Sequence, residues 1–179
     1  MKRAVFLDRD GVLIRSDLVN GIPIPPLRLE EVEILDGVLE ALQIIEYCNF
    51  IPVVVTNQPD VARRMVTKDS VEEINSYLGS KLGIEHFFTC FHDDLDKCNC
   101  RKPKPGLLKT AANCLDIDLG KSFMVGDRWR DIEAGQAAGC ECFFIDYEYE
   151  EKSPSLPFMS VPSLLEATRL ILESIDDFC

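Results

Sequence analysis

Five short apolar runs, each ending in polar or turn-forming residues, recur along this chain with helically spaced apolar positions between them, and this alternation narrows the fold more than any other feature. The runs are Arg3 to Asp8, Ile51 to Thr56, Phe87 to His92, Ser122 to Gly126 and Cys142 to Asp146. Each has the length and the unbroken apolar character of a strand buried on both faces. Between them, Asp36-Gly37 opens a segment with Val38, Leu39, Leu42 and Ile45 at helical spacing, and Val71, Ile74, Leu78 and Leu82 mark a second. Leu107, Leu108, Ala111 and Leu115 mark a third, and Ile132 to Ala138, stopped by Gly139, a short fourth. Such alternation predicts an α/β fold: a three-layer, Rossmann-like parallel sheet with helices on both faces and ligands beyond the carboxyl ends of the strands.

At 179 residues and 46% hydrophobic content the chain suits one well-buried domain, 1–179, with a core of about 3–147 and a closing segment 148–179. Ile14 to Glu33, with Pro23, Pro25 and Pro26, reads as an excursion between the first strand and first helix. Tyr147 to Pro162 is a second irregular stretch, and Ser163-Leu164-Leu165-Glu166 then has the form of a capping box for a closing helix through Ile175. The apolar runs are far too short for a membrane span, and MKRAVFLD lacks the apolar core of a signal peptide. A soluble, cytoplasmic monomer is the expectation. A net charge of -12 and a pI near 4.6 argue against nucleic acid, whose phosphates need a positive face.

The polar clusters all follow strands. In VFLDRDGV, Asp8 and Asp10 lie two apart, so in an extended segment both face one site while Arg9 between them points the other way, and Gly11 permits a sharp departure. Two converging carboxylates bind a hard cation or divide nucleophile and acid roles; the plain alternative is an acidic turn. An EF-hand loop fails on spacing, with Leu13 and Val19 where glycine and glutamate belong. Thr56, Asn57 and Gln58 end another strand with a hydroxyl and two amides suited to a phosphate oxygen, or to an ordinary turn. Met124 to Asp131 ends a third with Asp127 and Asp131, the latter placed to cap or salt-bridge the following helix.

Cysteine usage separates into two groups. Cys90, His92, Cys98 and Cys100 put three thiols and an imidazole within eleven positions, the donor set of a closed structural Zn²⁺ site, in a loop too polar for a core. With four protein ligands such a metal braces a loop. The other five, Cys48, Cys114, Cys140, Cys142 and Cys179, lie in or near apolar stretches and read as buried, inert thiols. Directly after the first group comes Arg101-Lys102-Pro103-Lys104-Pro105-Gly106, a basic cluster in an acidic chain that suits a doubly charged phosphate.

FLDRDGV, VVVTNQ, CRKPKPG and MVGDRWRD, in this order at strand ends, closely resemble the four motifs of haloacid dehalogenase superfamily phosphatases. The CxH…CxC loop running into RKP resembles the branch of D-glycero-D-manno-heptose-1,7-bisphosphate 7-phosphatase and the histidinol-phosphate phosphatase domain. The resemblance covers residues 3 to 147. It implies an Mg²⁺-dependent phosphomonoesterase without a large cap domain, acting on a small phosphorylated metabolite. Asp8 would be the nucleophile and Asp10 the acid and base, while Asp8, the Asp10 carbonyl and Asp127 hold Mg²⁺. Thr56 and Lys102 would steady the phosphoryl group, and Asn57, Gln58, Arg101 and Arg128 would bind substrate. TNQPDVARR departs from the family pattern at Pro59, Asp60 and Arg64, and Ser16 to Gly21 lacks the aspartate, glycine and tyrosine pattern that heptose enzymes often use against their sugar. A phosphorylated sugar is the preferred substrate class; histidinol phosphate and a catalytically silent, zinc-braced binding protein are the alternatives.

Overall fold

In the computed structural model, which describes residues 1–176, the strands and helices alternate as the apolar pattern predicts. In chain order they are β1 (Arg3–Leu7), β2 (Asp17–Val19), β3 (Ile22–Ile24), α1 (Val38–Tyr47), β4 (Phe50–Asn57), α2 (Lys68–Leu82), β5 (His86–Cys90) and α3 (Gly106–Leu115). There follow β6 (Phe123–Gly126), α4 (Trp129–Ala138), β7 (Glu141–Ile145), β8 (Met159–Val161) and α5 (Leu164–Asp176). Six strands form one parallel sheet in the order β5-β4-β1-β6-β7-β8, and β2 pairs with β3 in a separate antiparallel hairpin.

Both faces of this sheet are covered, which is why its strands read as unbroken apolar runs. Along β1, Val5 and Leu7 enter a core with Val38, Ile45, Ile74, Leu78, Ala167 and Ile171, from α1, α2 and α5. Ala4 and Phe6 enter the opposite core with Leu108, Ala111, Ile132 and Ala134, from α3 and α4. The helix ends carry their own stop and start signals. Thr67 caps α2 by accepting from the Ser70 amide at 3.1 Å, and Ser163 caps α5 by accepting from the Glu166 amide at 3.2 Å. Among the described residues no helix is long and apolar enough to cross a membrane.

Two elements lie inside stretches that read as irregular. The excursion after β1 contains the β2–β3 hairpin, turned by Asn20 and Gly21 at φ +52° and +71°. An Asn-Gly pair supplies the positive φ values that a two-residue hairpin turn requires, so the signal was in the sequence beneath the prolines. The sixth strand, β8, is three residues long with only Val161 buried, too short to show a period. Of the thiols expected to be buried, Cys48, Cys140 and Cys142 are, whereas Cys114 is exposed in the last turn of α3, where neighbouring Leu115 packs on the core. Cys179 lies outside the described residues.

Helix α4 touches the sheet through Gly135, where an added Cβ would lie 2.7 Å from Met124 Cβ and 2.7 Å from Cys142 Sγ. Gly135→Ala gains about 1 kcal/mol of helix propensity but overpacks the core at a typical cost of about 1–3 kcal/mol. The expected result is a net loss, read in thermal unfolding as a Tm lower by about 2–4 °C per kcal/mol for a chain of this size.

Candidate active site

The carboxyl ends of β1, β4 and β6 converge, and Lys102 joins them. Its ammonium lies 2.9 Å from Asp8 Oδ1 and 2.6 Å from Asp131 Oδ1, and donates to the Val55 carbonyl at 2.7 Å. Three donors meet three acceptors, with the side chain 1% exposed. Burial alone would strip this proton, but the charges of Asp131 and Asp8 outweigh it and raise the ammonium pKa. Asn57 fixes the lysine backbone reciprocally: its Nδ2 donates to the Lys102 carbonyl and its Oδ1 accepts from the Lys102 amide, both at 3.1 Å.

Asp8, Asp127 and Asp131 each present a carboxylate oxygen, all within 4.8 Å of one another. Asp127 is 1% exposed; its Oδ2 accepts from the Tyr149 hydroxyl at 2.8 Å, while Oδ1 is buried without a hydrogen-bond partner. Burial, then the charges of Asp131 and Asp8, push the Asp127 carboxyl well above its ordinary range. Burial and the charge of Asp8 push Asp131 up to about 6 against the pull of Lys102. Gly11, at φ +84°, lets Asp127 approach this closely, since a Cβ there would stand 1.9 Å from Asp127 Oδ2. A bare oxygen in a crowd of buried carboxylates fits a small divalent cation with oxygen ligands. Asp131, expected only to cap or salt-bridge, does both: its Oδ2 accepts from the Arg128 amide at 2.9 Å while Oδ1 holds Lys102.

Asp10 has a different set of partners. Arg9, fully buried, forks onto it with Nε to Oδ1 at 3.0 Å and Nη2 to Oδ2 at 3.2 Å, and Gln58 Nε2 donates to Oδ2 at 2.7 Å. Extended geometry would turn Arg9 away from its neighbours. The strand ends at Leu7, however, and beyond it the hydrogen bonds set the direction. The third guanidinium nitrogen is held by Asn75 Oδ1 at 3.1 Å, from the buried face of α2, and Asn75 in turn donates to Thr89 at 3.2 Å. Gln58 also donates to Thr56 Oγ1 at 2.9 Å, so these two strand-end residues face each other. Burial raises the Asp10 pKa and the Asp8 charge adds to it, with Arg9 opposing both.

Asp8, Asp10, Asn57, Arg101, Lys102, Asp127, Arg128 and Asp131 line a cavity of about 400 Å³, walled by Ile22 and Ile24 of the hairpin and rimmed by Arg63 and Arg130. Thr56 and Gln58 are buried behind it. Arg101 Nε donates to Asp94 Oδ1 at 2.8 Å, and Arg130 Nη1 shares that oxygen at 3.3 Å. Arg128 Nε contacts both carboxylate oxygens of Glu151 at 3.1 Å. Arg63 pairs with Asp60 and Asp93. Beside the rim, the Cys100 sulfur lies 3.2 Å from that of Cys90 and 3.4 Å from that of Cys98, with His92 Nδ1 3.3 Å from Cys100. Four soft and borderline donors thus gather around one point, the donor set of a structural zinc site. Tyr149, Glu151 and Asn75 were not foreseen, because each sits outside the strand-end motifs.

The HAD-hydrolase-like family model matches residues 99–167. The chain is 36% identical over 150 residues to D-glycero-beta-D-manno-heptose-1,7-bisphosphate 7-phosphatase of Pasteurella multocida, spanning 77% of this chain and 78% of that one. With the protein of the same name from Escherichia coli K12 it shares 33% over 148 residues, 75% of this chain and 74% of that one. Among solved structures, D,D-heptose 1,7-bisphosphate phosphatase from B. bronchiseptica, complexed with magnesium and phosphate, superposes with a TM-score of 0.83 at 25% identity, covering 96% and 99% of the two chains.

Replacing Lys102 removes the only ammonium between Asp8 and Asp131 and strands two buried charges. Lys102→Met, unfolded by urea in EDTA, is expected to lose about 3–5 kcal/mol relative to the parent, the usual scale for breaking a buried pair from one side.

Proposed function

This chain belongs to the haloacid dehalogenase superfamily of phosphatases, and from that premise we propose that it removes one phosphate from a phosphorylated sugar, in the manner of a heptose-1,7-bisphosphate 7-phosphatase. One observation carries the residue assignment: Asp8 and Asp10, two positions apart, answer to different cations, Asp8 to Lys102 and Asp10 to Arg9. Asp8 lies in the cluster with Asp127 and Asp131, where an electrophilic phosphorus and a metal would meet it; Asp10 is held apart, with its carboxylate aimed by Arg9 and Gln58.

An Asp8 oxygen attacks phosphorus, and the ester oxygen leaves with a proton from Asp10. In the second displacement Asp10 takes a proton from water, the hydroxide attacks phosphorus, and the acyl-phosphate bond breaks to free inorganic phosphate and restore Asp8. Mg²⁺, held by Asp8, Asp127 and the backbone carbonyl of Asp10, would supply charge neutralisation for the transferring group. Lys102 adds its fixed positive charge beside the nucleophile. Thr56 lies beside Gln58, and both support the Asp10 side of the site; Asn57 acts through Lys102, whose backbone it clamps. These placements make Asn57 and Gln58 positioning residues in the proposal, with Arg101 and Arg128 left to meet substrate.

Sugar bisphosphate is favoured over histidinol phosphate because Arg63, Arg101, Arg128 and Arg130 border the cavity and Arg101 Nη1, buried without a hydrogen-bond partner, is left to meet a second anionic group. The names of the relatives support the same choice. Cys90, His92, Cys98 and Cys100 would hold a structural Zn²⁺ that stiffens the loop ahead of Arg101 and Lys102.

The test is phosphate release from a panel of phosphorylated metabolites with Mg²⁺, alongside metal analysis. Heptose 1,7-bisphosphate is expected to be preferred to histidinol phosphate at equal concentration, with zinc bound stoichiometrically. Asp8→Asn is expected to abolish turnover while circular dichroism and zinc content stay unchanged. Retained turnover in that variant would sink the mechanism, and preference for histidinol phosphate would overturn the substrate.

A further inference from the structure

The segment that follows β7 is not part of any strand-end motif, yet it is tied to the site at three points. The Glu150 amide donates to the Gly21 carbonyl in the hairpin turn at 3.0 Å, and the Glu151 carboxylate forks onto Arg128. Between them the Tyr149 hydroxyl donates to Asp127 Oδ2 at 2.8 Å, with the ring of Tyr147 packed 5.5 Å from its own. The hydroxyl is thereby delivered to a fully buried carboxylate of the acidic cluster by a segment anchored on both sides.

The geometry points to Tyr149 as a positioning residue for a divalent cation at Asp127: its hydroxyl occupies one carboxylate oxygen so that the other is presented singly to the metal. Two observations converge with the coordination chemistry of the ion. Oδ2 is closed off, by the Tyr149 hydroxyl on one side and by the close approach of Gly11 on another. Oδ1 is buried and has no hydrogen-bond partner, so it is the oxygen left to ligate. Mg²⁺ demands near-ideal octahedral geometry with short bonds, which a carboxylate free to rock between one- and two-oxygen binding meets poorly. Tying a ligand's distal atom to a fixed donor is how such rocking is suppressed, and losing that kind of partner commonly costs 10–100-fold in metal affinity. A donor on Oδ2 also withdraws some charge from the carboxylate, which weakens its hold on a cation. Orientation outweighs this here, because Asp127 stands among like charges and without a fixed rotamer would turn away from them.

The inference rests on Asp127 being a metal ligand, and the experiment separates the two. Mg²⁺ binding to the zinc-loaded protein is measured by calorimetry, and Mn²⁺ binding by electron paramagnetic resonance, for the parent and for Tyr149→Phe. The phenylalanine keeps the ring and its packing on Tyr147 and removes one oxygen. Zinc content and Tm without added Mg²⁺ report whether the variant is folded. If it is not, Tyr149→Gln replaces it: its amide is too short to reach the Asp127 oxygen, so binding is expected to weaken in the same direction, and unchanged affinity would overturn the role of the hydroxyl.

Tyr149→Phe is expected to bind both ions about 10–100-fold more weakly and to recover turnover when Mg²⁺ is raised in proportion. Equal or tighter binding in the variant would overturn the role of Tyr149, the tighter case meaning that the hydroxyl competes with the metal. Absence of Mg²⁺ and Mn²⁺ binding in the parent itself would instead overturn the metal reading of Asp127.

Discussion

The buried ammonium of Lys102 is the interaction on which the site depends. In a chain of net charge -12, the fold gathers Asp8, Asp127 and Asp131 into one buried corner, and like charges there would force each other apart or take up protons. Lys102 answers this from the loop that precedes α3, and it also binds the Val55 carbonyl of β4. A single charge therefore ties the ends of β1 and β4 to the first turn of α4. Lysine is flexible, so the position of its nitrogen is only as good as the position of its backbone. That backbone is clamped twice by Asn57 and follows directly on the cysteine and histidine cluster, whose four donors close the preceding loop on itself. A loop this constrained holds a long side chain at a fixed reach.

Charge bookkeeping explains why the corner still asks for a metal. Fully ionised, Asp8, Asp10, Asp127 and Asp131 would carry four negative charges, against which Lys102 and Arg9 set two positive ones. The deficit is that of one divalent cation. The oxygen that Asp127 buries without a hydrogen-bond partner is where such a cation would be held. Roles among chemically identical aspartates follow from which cation each faces, since spacing two apart only brings the residues near one another.

The parts of the fold that were legible in the sequence are those with a local cause. A strand covered on both faces must be apolar throughout, so Phe6, Val54 and Val125 announced their strands. Polar residues at the ends of such runs announced the site: Asp8, Lys102 and Asp127 line the cavity, whereas Thr56, expected to steady the phosphoryl group, is buried behind it. Asn75 gave no such signal: on α2 it is one polar residue on a buried face, and its purpose appears only when Arg9 arrives from a loop 66 positions away. Tyr149 is equally silent, because a tyrosine in an irregular stretch has no period to break. Arg9 was misdirected by a valid rule applied two residues too far, since the alternation of strand side chains ends with the strand at Leu7.

The same distinction divides the floor of the cavity from its rim. The floor is built at strand ends, where the sheet fixes the backbone and a motif can persist as a short string. The rim is built from the hairpin, the loop after β4, the cysteine and histidine loop and the segment after β7, and there each arginine is held by an acid from elsewhere in the chain or nearby: Arg63 by Asp93, Arg101 and Arg130 by Asp94, Arg128 by Glu151. Such pairs keep guanidinium groups in place before any ligand arrives, which lowers the cost of ordering them on binding. At Arg101 the Nη1 atom is buried without a hydrogen-bond partner and is left for an incoming anion; where a guanidinium's donors are all engaged, the anion must displace a carboxylate and gains only the difference between two charge-assisted contacts. Selectivity at this rim is thus a property of the acids as much as of the arginines, and neither partner of such a pair can be read without the other.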